Sequence, residues 1–216
     1  MAESSYGFVR GGSAANYGEA STSQIALNSR GDQLVAQSLP GRTELVALQH
    51  SWNVAIPTGS AFTNVATMPT TRSELALYNG EPGDGYSYVI DSVWYMCLTS
   101  ITAASGISII YQVDAVTALA ENLAVLISSP TGRASYDGNA TKAVATTTMT
   151  ANKWTSIASA EGAGAVVSIG TGLVAHVDGG IIVPPGFTIG VNAVLGTAVG
   201  TSIMGITWHE VKLAQG

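Results

Sequence analysis

The sequence predicts an all-β protein: an antiparallel β-sandwich, specifically a jelly roll, carrying an extended N-terminal arm over residues 1–32 and forming a single domain over residues 33–216. Three observations predict it. From Gly179 to Thr207 no side chain is charged, yet Pro184-Pro185 and recurrent glycines forbid a long helix there. Within that run Phe187, Ile189, Val191, Ala193 and Leu195 alternate with Thr188, Gly190, Asn192 and Val194, the period of a strand. Elsewhere short apolar runs are separated by Gly/Pro turns, and no repeat of fixed period argues for a propeller or β-helix.

Residues 1–32 are rich in Ser, Gly, Ala and Asn with no sustained apolar period, and so read as an extended arm. Short β-runs then follow at Gln33 to Gln37, Glu44 to Ile56, Ala61 to Thr67 and Glu74 to Tyr78. Pro40-Gly41, Pro57-Thr58-Gly59 and the turn-rich Asn79 to Gly85 punctuate them. Tyr86 to Thr99 is the strongest strand. Its alternation places Tyr86, Tyr88, Ile90, Trp94, Met96 and Leu98 on one face and Val89, Asp91, Val93, Tyr95 and Cys97 on the other, so both faces are apolar enough for a central position.

Ile107 to Val113 and Glu121 to Ile127 continue the pattern around a short helical turn at Asp114 to Glu121. Pro130 to Asn139 reads as an exposed loop. The remaining strands are Ala143 to Met149, Lys153 to Ala158, Ala165 to Ile169, Leu173 to Val177, Gly180 to Val183, Phe187 to Leu195 and Thr201 to Leu213. An immunoglobulin-like sandwich is the rival architecture, but its antibody form needs a disulfide and Cys97 is the sole cysteine. In its apolar strand Cys97 reads as a small buried hydrophobe.

Only 10% of the 216 residues are charged while 46% are hydrophobic. A typical soluble domain carries about 25% charged residues. An apolar chain with a neutral, hydroxyl-rich strand face suits burial against other subunits, so the composition predicts assembly. The formal net charge of −6, with Lys and Arg scattered singly, argues against nucleic acid. Nothing predicts a membrane span. Met1 to Arg10 has an early acid and no apolar core, which predicts a chain made in a cytosol.

Motifs for chemistry are sparse. His50, His176 and His209 fall in three separate strands without metal-ligand spacing, so no metal or cofactor is expected. His209, in Trp208-His209-Glu210, is read as a residue of packing or rim hydrogen bonding, with a metal or pH-switch role as the alternative. The hydroxyls include no Gly-x-Ser-x-Gly elbow, and Gly162 to Gly164 and Gly170 to Gly172 lack the companions of a phosphate loop. A sandwich glycosidase would need two acids across a cleft, for which Glu74, Glu81, Asp84, Asp91, Glu121 and Asp137 are candidates only as acids. Trp52, Trp94, Trp154, Trp208 and the tyrosines offer a sugar-stacking alternative, with Trp52 and Tyr136 as the exposed members. Arg30-Gly31-Asp32 is read as a turn, and the sequon Asn139-Ala140-Thr141 as unused.

Residues 27–56, together with the closing Ile-Val-Pro-Pro-Gly-Phe to Ile-Thr-Trp-His-Glu-Val, resemble structural proteins of tailed-bacteriophage virions. They are most similar to the jelly-roll, TNF-like trimers that decorate or cement capsids. The resemblance implies a non-enzymatic homotrimer on the capsid surface of a virion, stabilising the shell by binding the major capsid protein between subunits, with no catalytic residues. The arm would then order on a neighbour. A carbohydrate- or receptor-binding module of a fibre or tail is the alternative function.

Overall fold

The structure is a computed structural model and describes residues 45–56, 61–63, 67, 72–99, 101–102, 107–115, 127–131, 136–146, 149, 153–160, 166–167, 170, 172–195 and 201–213. The arm, the run at Gln33 to Gln37, most of Glu121 to Ile127 and residues 116–121 of the helical turn predicted at Asp114 to Glu121 lie outside these residues, whereas Asp114 and Ala115 are strand, because the pairing of Ile107 to Val113 continues through them. The described residues belong to one unit, Leu45–Gly216. They form strands β1 (Ser51–Ala55), β2 (Phe62–Thr63), β3 (Ser73–Asn79), β4 (Ser87–Cys97), β5 (Ile101–Thr102), β6 (Ile107–Ala115) and β7 (Ile127–Ser128). β8 (Ala140–Thr146), β9 (Thr155–Ala160), β10 (Val166–Val167), β11 (Gly172–Val183), β12 (Phe187–Leu195) and β13 (Thr201–Val211) complete the order.

Two antiparallel sheets pack face to face, so the protein is an all-β sandwich. One runs β11-β4-β13-β1-β7 with β2 attached to β13, and the other runs β8-β3-β12-β6-β9. β5 and β10 pair separately. Between the sheets lie Trp52 and Val54, Leu75 and Leu77, Ile189, Val191 and Ala193, and Met204, Ile206 and Trp208, all buried. Each large apolar side chain so buried contributes about 1.5 to 3 kcal/mol against leaving it in water.

The strand predicted over Tyr86 to Thr99 forms as β4, between β11 and β13, but its two faces are not those of simple alternation. Tyr88 and Ile90 face the core, and so do Val93, Tyr95 and Cys97, while Trp94 and Met96 are only partly buried. The phase changes because Ile90 pairs with Trp208 and Ser92 with Thr207, so that a two-residue step on β4 through Asp91 answers a one-residue step on β13. Against β11 the register breaks at the same point of β4, but with the excess residues on β11, since Ser92 pairs with His176 and Ile90 with Ile181. A one-residue bulge flips every side chain beyond it, which is why period-2 counting fails after Asp91. β11 merges two predicted strands through this irregularity, at Asp178 (φ 47°) and Gly179 (φ 82°).

The strand predicted from Glu44 begins only at Ser51. Residues 45–47 form one helical turn, closed by the His50 N–H to the Leu45 carbonyl (2.8 Å) and the Gln49 N–H to the Val46 carbonyl (3.1 Å). Gln49 takes the left-handed conformation (φ 63°) that this type of C-cap requires. Of the predicted run from Ala61 to Thr67, Phe62 and Thr63 form β2, and residues 64–66 lie outside the described residues.

The neutral outer face of β12 is covered by the chain itself. Thr188, Gly190 and Asn192 are buried, and a Cβ added at Gly190 would meet Met149 Cε at 2.9 Å. Met149 packs there with Ile110 and Trp154 in a small second cluster. Asn192 accepts the Glu74 N–H (3.1 Å) and donates to the Arg72 carbonyl (3.2 Å). The uncharged alternation at 187–195 therefore reflects intrachain burial.

The outer face of the other sheet is different. The register puts Val174 beside Trp94, Trp94 beside Gly205 and Gly205 beside Ala55 in one row. A parallel row runs His176, Ser92, Thr207 and Asn53, where the Ser92 and Thr207 hydroxyls bond and Asn53 donates to Ser128 Oγ at 2.7 Å. No Lys, Arg, Asp or Glu interrupts either row. Val174 is 57% exposed and Ile182 43%. Gly205 is required under Trp94, since any Cβ there would run into the indole ring.

Candidate functional site

At one end of the sandwich the starts of β1 and β4 and the end of β13 meet the turn after β3 and the loop before β8. Between them lies a cleft of about 350 Å³, whose walls include His50, Glu81, Tyr86, Asp137, Asn139 and Glu210. Each wall has a local cause. The C-cap at Gln49 delivers His50, whose ring lies 5.5 Å from that of Tyr86 with an interplanar angle of 35°. Tyr86 precedes β4 and stays 37% exposed.

The turn carrying Glu81 is anchored by Asn79, a fully buried side chain. Its amide donates to the carbonyls of Tyr86 and Val183, both at 2.9 Å, and its Oδ1 accepts the Glu81 N–H at 3.1 Å. Glu81 Oε1 in turn accepts the backbone N–H and the side-chain amide of Asn139, each at 3.1 Å, tying this turn to the opposite loop.

Glu210 is two residues beyond Trp208 and so points, like Trp208, to the inner side of β13, at the mouth of the core. Tyr136 Oη donates to Glu210 Oε1 at 2.8 Å. Having spent its only proton there, Tyr136 can only accept from Tyr88, whose hydroxyl lies 3.2 Å away, and from the Ala140 N–H at 3.3 Å. Gly138 lets the loop fold over the Tyr136 ring, where a Cβ would collide with it. Burial holds both phenols above their ordinary pKa.

Burial also pushes the Glu210 carboxyl above the usual carboxylate range, and the charges of Glu81 and Asp137 add to the rise. Hydrogen bonding from Tyr136 and the facing Trp52 indole opposes it. The Trp52 N–H falls short of a hydrogen bond by geometry, so its effect is the smaller one. Folded Glu210 thus holds its proton more tightly than the unfolded chain does. The stability associated with that proton is present below the ordinary glutamate pKa of 4.5 and is lost as pH rises through the folded value. Glu74, whose buried carboxyl is raised despite Arg72, acts in the same direction. Glu210→Gln, which keeps the acceptor for Tyr136, is expected to flatten part of this decline when thermal unfolding is followed from mildly acidic to neutral pH; an unchanged slope would count against the buried placement of Glu210.

Of the histidines and acids singled out from sequence, the structure brings His50, Glu81 and Asp137 to the walls of the cleft and places the other described ones elsewhere. His209 Nδ1 lies 2.9 Å from Asp91 Oδ1, the hydrogen-bonding role read for it. Asp91 is aimed there by its bulge. His176 is exposed on β11, Asp84 is exposed in its turn, and Glu74 pairs with Arg72 at 2.8 Å. Glu121 and Arg30-Gly31-Asp32 lie outside the described residues. Cys97 is buried, and its Sγ donates to the Thr99 carbonyl at 2.9 Å. Among the described residues no group of three His, Cys, Asp or Glu side chains is placed to hold a metal ion.

Two expectations about aromatics are corrected. Trp52 is 2% exposed, and Tyr136 is half-buried with its ring edge-on to Trp52 at 4.8 Å, so neither is a free stacking platform. Tyr86 is the exposed ring, because it lies just outside the strand that was expected to bury it. Glu210 was missing from the list of candidate acids, although its spacing from Trp208 signalled an inward carboxyl.

No protein family, curated protein or solved structure matches the chain. Among the described residues no helix is long and apolar enough to cross a membrane.

Proposed function

We propose that this chain is a non-enzymatic structural protein of a virion, a jelly roll that associates as a homotrimer and decorates a phage capsid by packing between its subunits. The observation that carries the assembly is the outer face of the β11-β4-β13-β1 sheet, where the row of Val174 and half-buried Trp94 and the row of His176 carry no Lys, Arg, Asp or Glu, the Asp91–His209 pair lies farther along, and Val174 and Ile182 are exposed. β11, twelve residues long, is also an edge strand with one side unpaired among the described residues. A free edge of that length, with only Asp178 charged, invites a neighbour.

The strand order supports the jelly-roll reading. Taking β1, β3, β4, β6, β9, β11, β12 and β13 as the eight main strands, the sheets run sixth-third-eighth-first and second-seventh-fourth-fifth, as two nested Greek keys require. Trimeric stoichiometry, virion location and the major capsid protein as partner rest on the resemblance of residues 27–56 and of the closing strands to decoration proteins. Such a protein acts by mass action: binding the assembled shell better than free subunits shifts assembly toward the shell.

Native mass spectrometry at low micromolar concentration tests the reading. The wild-type chain is expected as a trimer and the double variant Val174→Glu/Ile182→Glu as a monomer of similar melting temperature, because both positions are exposed in the protomer. A monomeric wild-type chain would overturn the proposal.

A further inference from the structure

We propose that the cleft at the β1/β4/β13 end is a binding site for a neutral saccharide ring. This goes beyond assembly and does not depend on it, since the cleft is formed within one protomer. Three features of the cleft point to this ligand class.

The first is shape. About 350 Å³ lies near the lower end of ligand pockets, which run from about 300 to 1,000 Å³, and suits a single ring with a substituent. The second is an aromatic wall. Tyr86 is exposed into solvent while its ring is held by His50 on one side, so it presents a fixed flat surface against which the C–H face of a sugar can pack.

The third is the mixture of polar groups. Glu81 and Asp137 accept hydrogen bonds, the Asn139 amide both donates and accepts, and His50 can do either. The carboxylates of Glu81 and Asp137, with no Lys or Arg among the described lining residues, disfavour phosphates and acidic sugars. A dedicated cation site would keep its carboxylates ionised and free. Here Glu81 is engaged by Asn139, and Glu210 is engaged by Tyr136 in surroundings that disfavour its charge. A neutral polyol, which needs donors and acceptors together, fits this set better than a cation.

Protein-observed NMR titration with glucose, galactose, mannose and N-acetylglucosamine, each free and as the methyl glycoside, tests the site, with agmatine as a cationic control. At least one sugar is expected to give saturable shifts at Tyr86 and Asn139. Tyr86→Ala, at an exposed ring whose backbone carbonyl still serves Asn79, is expected to weaken that binding ten-fold or more, and Asp137→Asn several-fold. Leu213→Ser, exposed and outside the cleft, is expected to leave it unchanged. Preference for the methyl glycoside would identify the end of a glycan chain as the ligand, and preference for the free sugar a soluble one. Failure of all four sugars, tighter binding of agmatine, or sugar binding indifferent to Tyr86→Ala would each overturn the proposal.

Discussion

Trp208→Ala is expected to destabilise the protein by about 3 to 5 kcal/mol, the usual cost of truncating a fully buried tryptophan. Against a typical total of about 5 to 15 kcal/mol for a domain, that is a large share. Trp208 is 0% exposed, lies beside Trp52 across the β1/β13 pair, and stacks at a tilt on Tyr88 with ring centroids 5.8 Å apart. It also meets Tyr136 edge-on at 6.4 Å. The void would therefore open beneath the Tyr136–Glu210 hydrogen bond, so the floor of the cleft should loosen along with the core. Trp208→Phe is the informative companion. Among the described residues the indole N–H of Trp208 has no hydrogen-bond partner, so phenylalanine removes an unsatisfied donor while keeping most of the ring volume, and it should cost much less. Denaturant midpoints for both variants check this; a cost below about 1 kcal/mol for the alanine variant would contradict the burial of Trp208.

The sandwich was legible because its main strands obey period-2 alternation between Gly/Pro turns. β12 forms at Phe187–Leu195 as the pattern predicts, and β3, β6 and β13 differ from prediction by no more than two residues at any end. The misreadings come from single residues that alternation does not encode. Asp91, inserted as a bulge, exchanges the faces of β4 beyond it and brings Trp94 outward. Gln49, in a left-handed conformation usually taken by glycine, turns the expected start of β1 into a helical cap.

The cleft was half legible for a similar reason. Glu81 and Asp137 stood out as acids, but nothing local states that a turn after β3 and a loop before β8 converge 58 residues apart in sequence. Nor does alternation show that the outer face of β12 is covered by Met149 and Trp154, both of which come from outside β12. Covered faces look alike in sequence whether the cover is the same chain or a partner.

Asn79→Ala tests that convergence and should have the second-largest effect. Asn79 ends β3 with its side chain fully buried, and three backbone groups depend on it: the carbonyls of Tyr86 and Val183 and the N–H of Glu81. Its own carbonyl accepts the Gly186 N–H at 2.8 Å, so the residue also ties the β11–β12 turn to β3. Alanine preserves that backbone bond but removes the Asn79 hydrogen bond from each of the other three groups. A buried group stripped of its hydrogen bond costs about 1 to 3 kcal/mol, and partial access of water at Tyr86 and Glu81 softens the total, so a loss of about 2 to 4 kcal/mol is expected. The effect should extend to the cleft. With the Glu81 N–H released, the turn no longer fixes Glu81 against Asn139, and hydrogen exchange at Glu81 and Asn139 should accelerate well beyond what global destabilisation predicts. Asn79→Asp separates the two contributions. It keeps the acceptor for Glu81 and loses both donated bonds, so it should destabilise the fold while sparing the turn. Exchange rising equally across all the strands, with no excess at Glu81 and Asn139, would mean that Asn79 supports the sandwich without positioning the cleft.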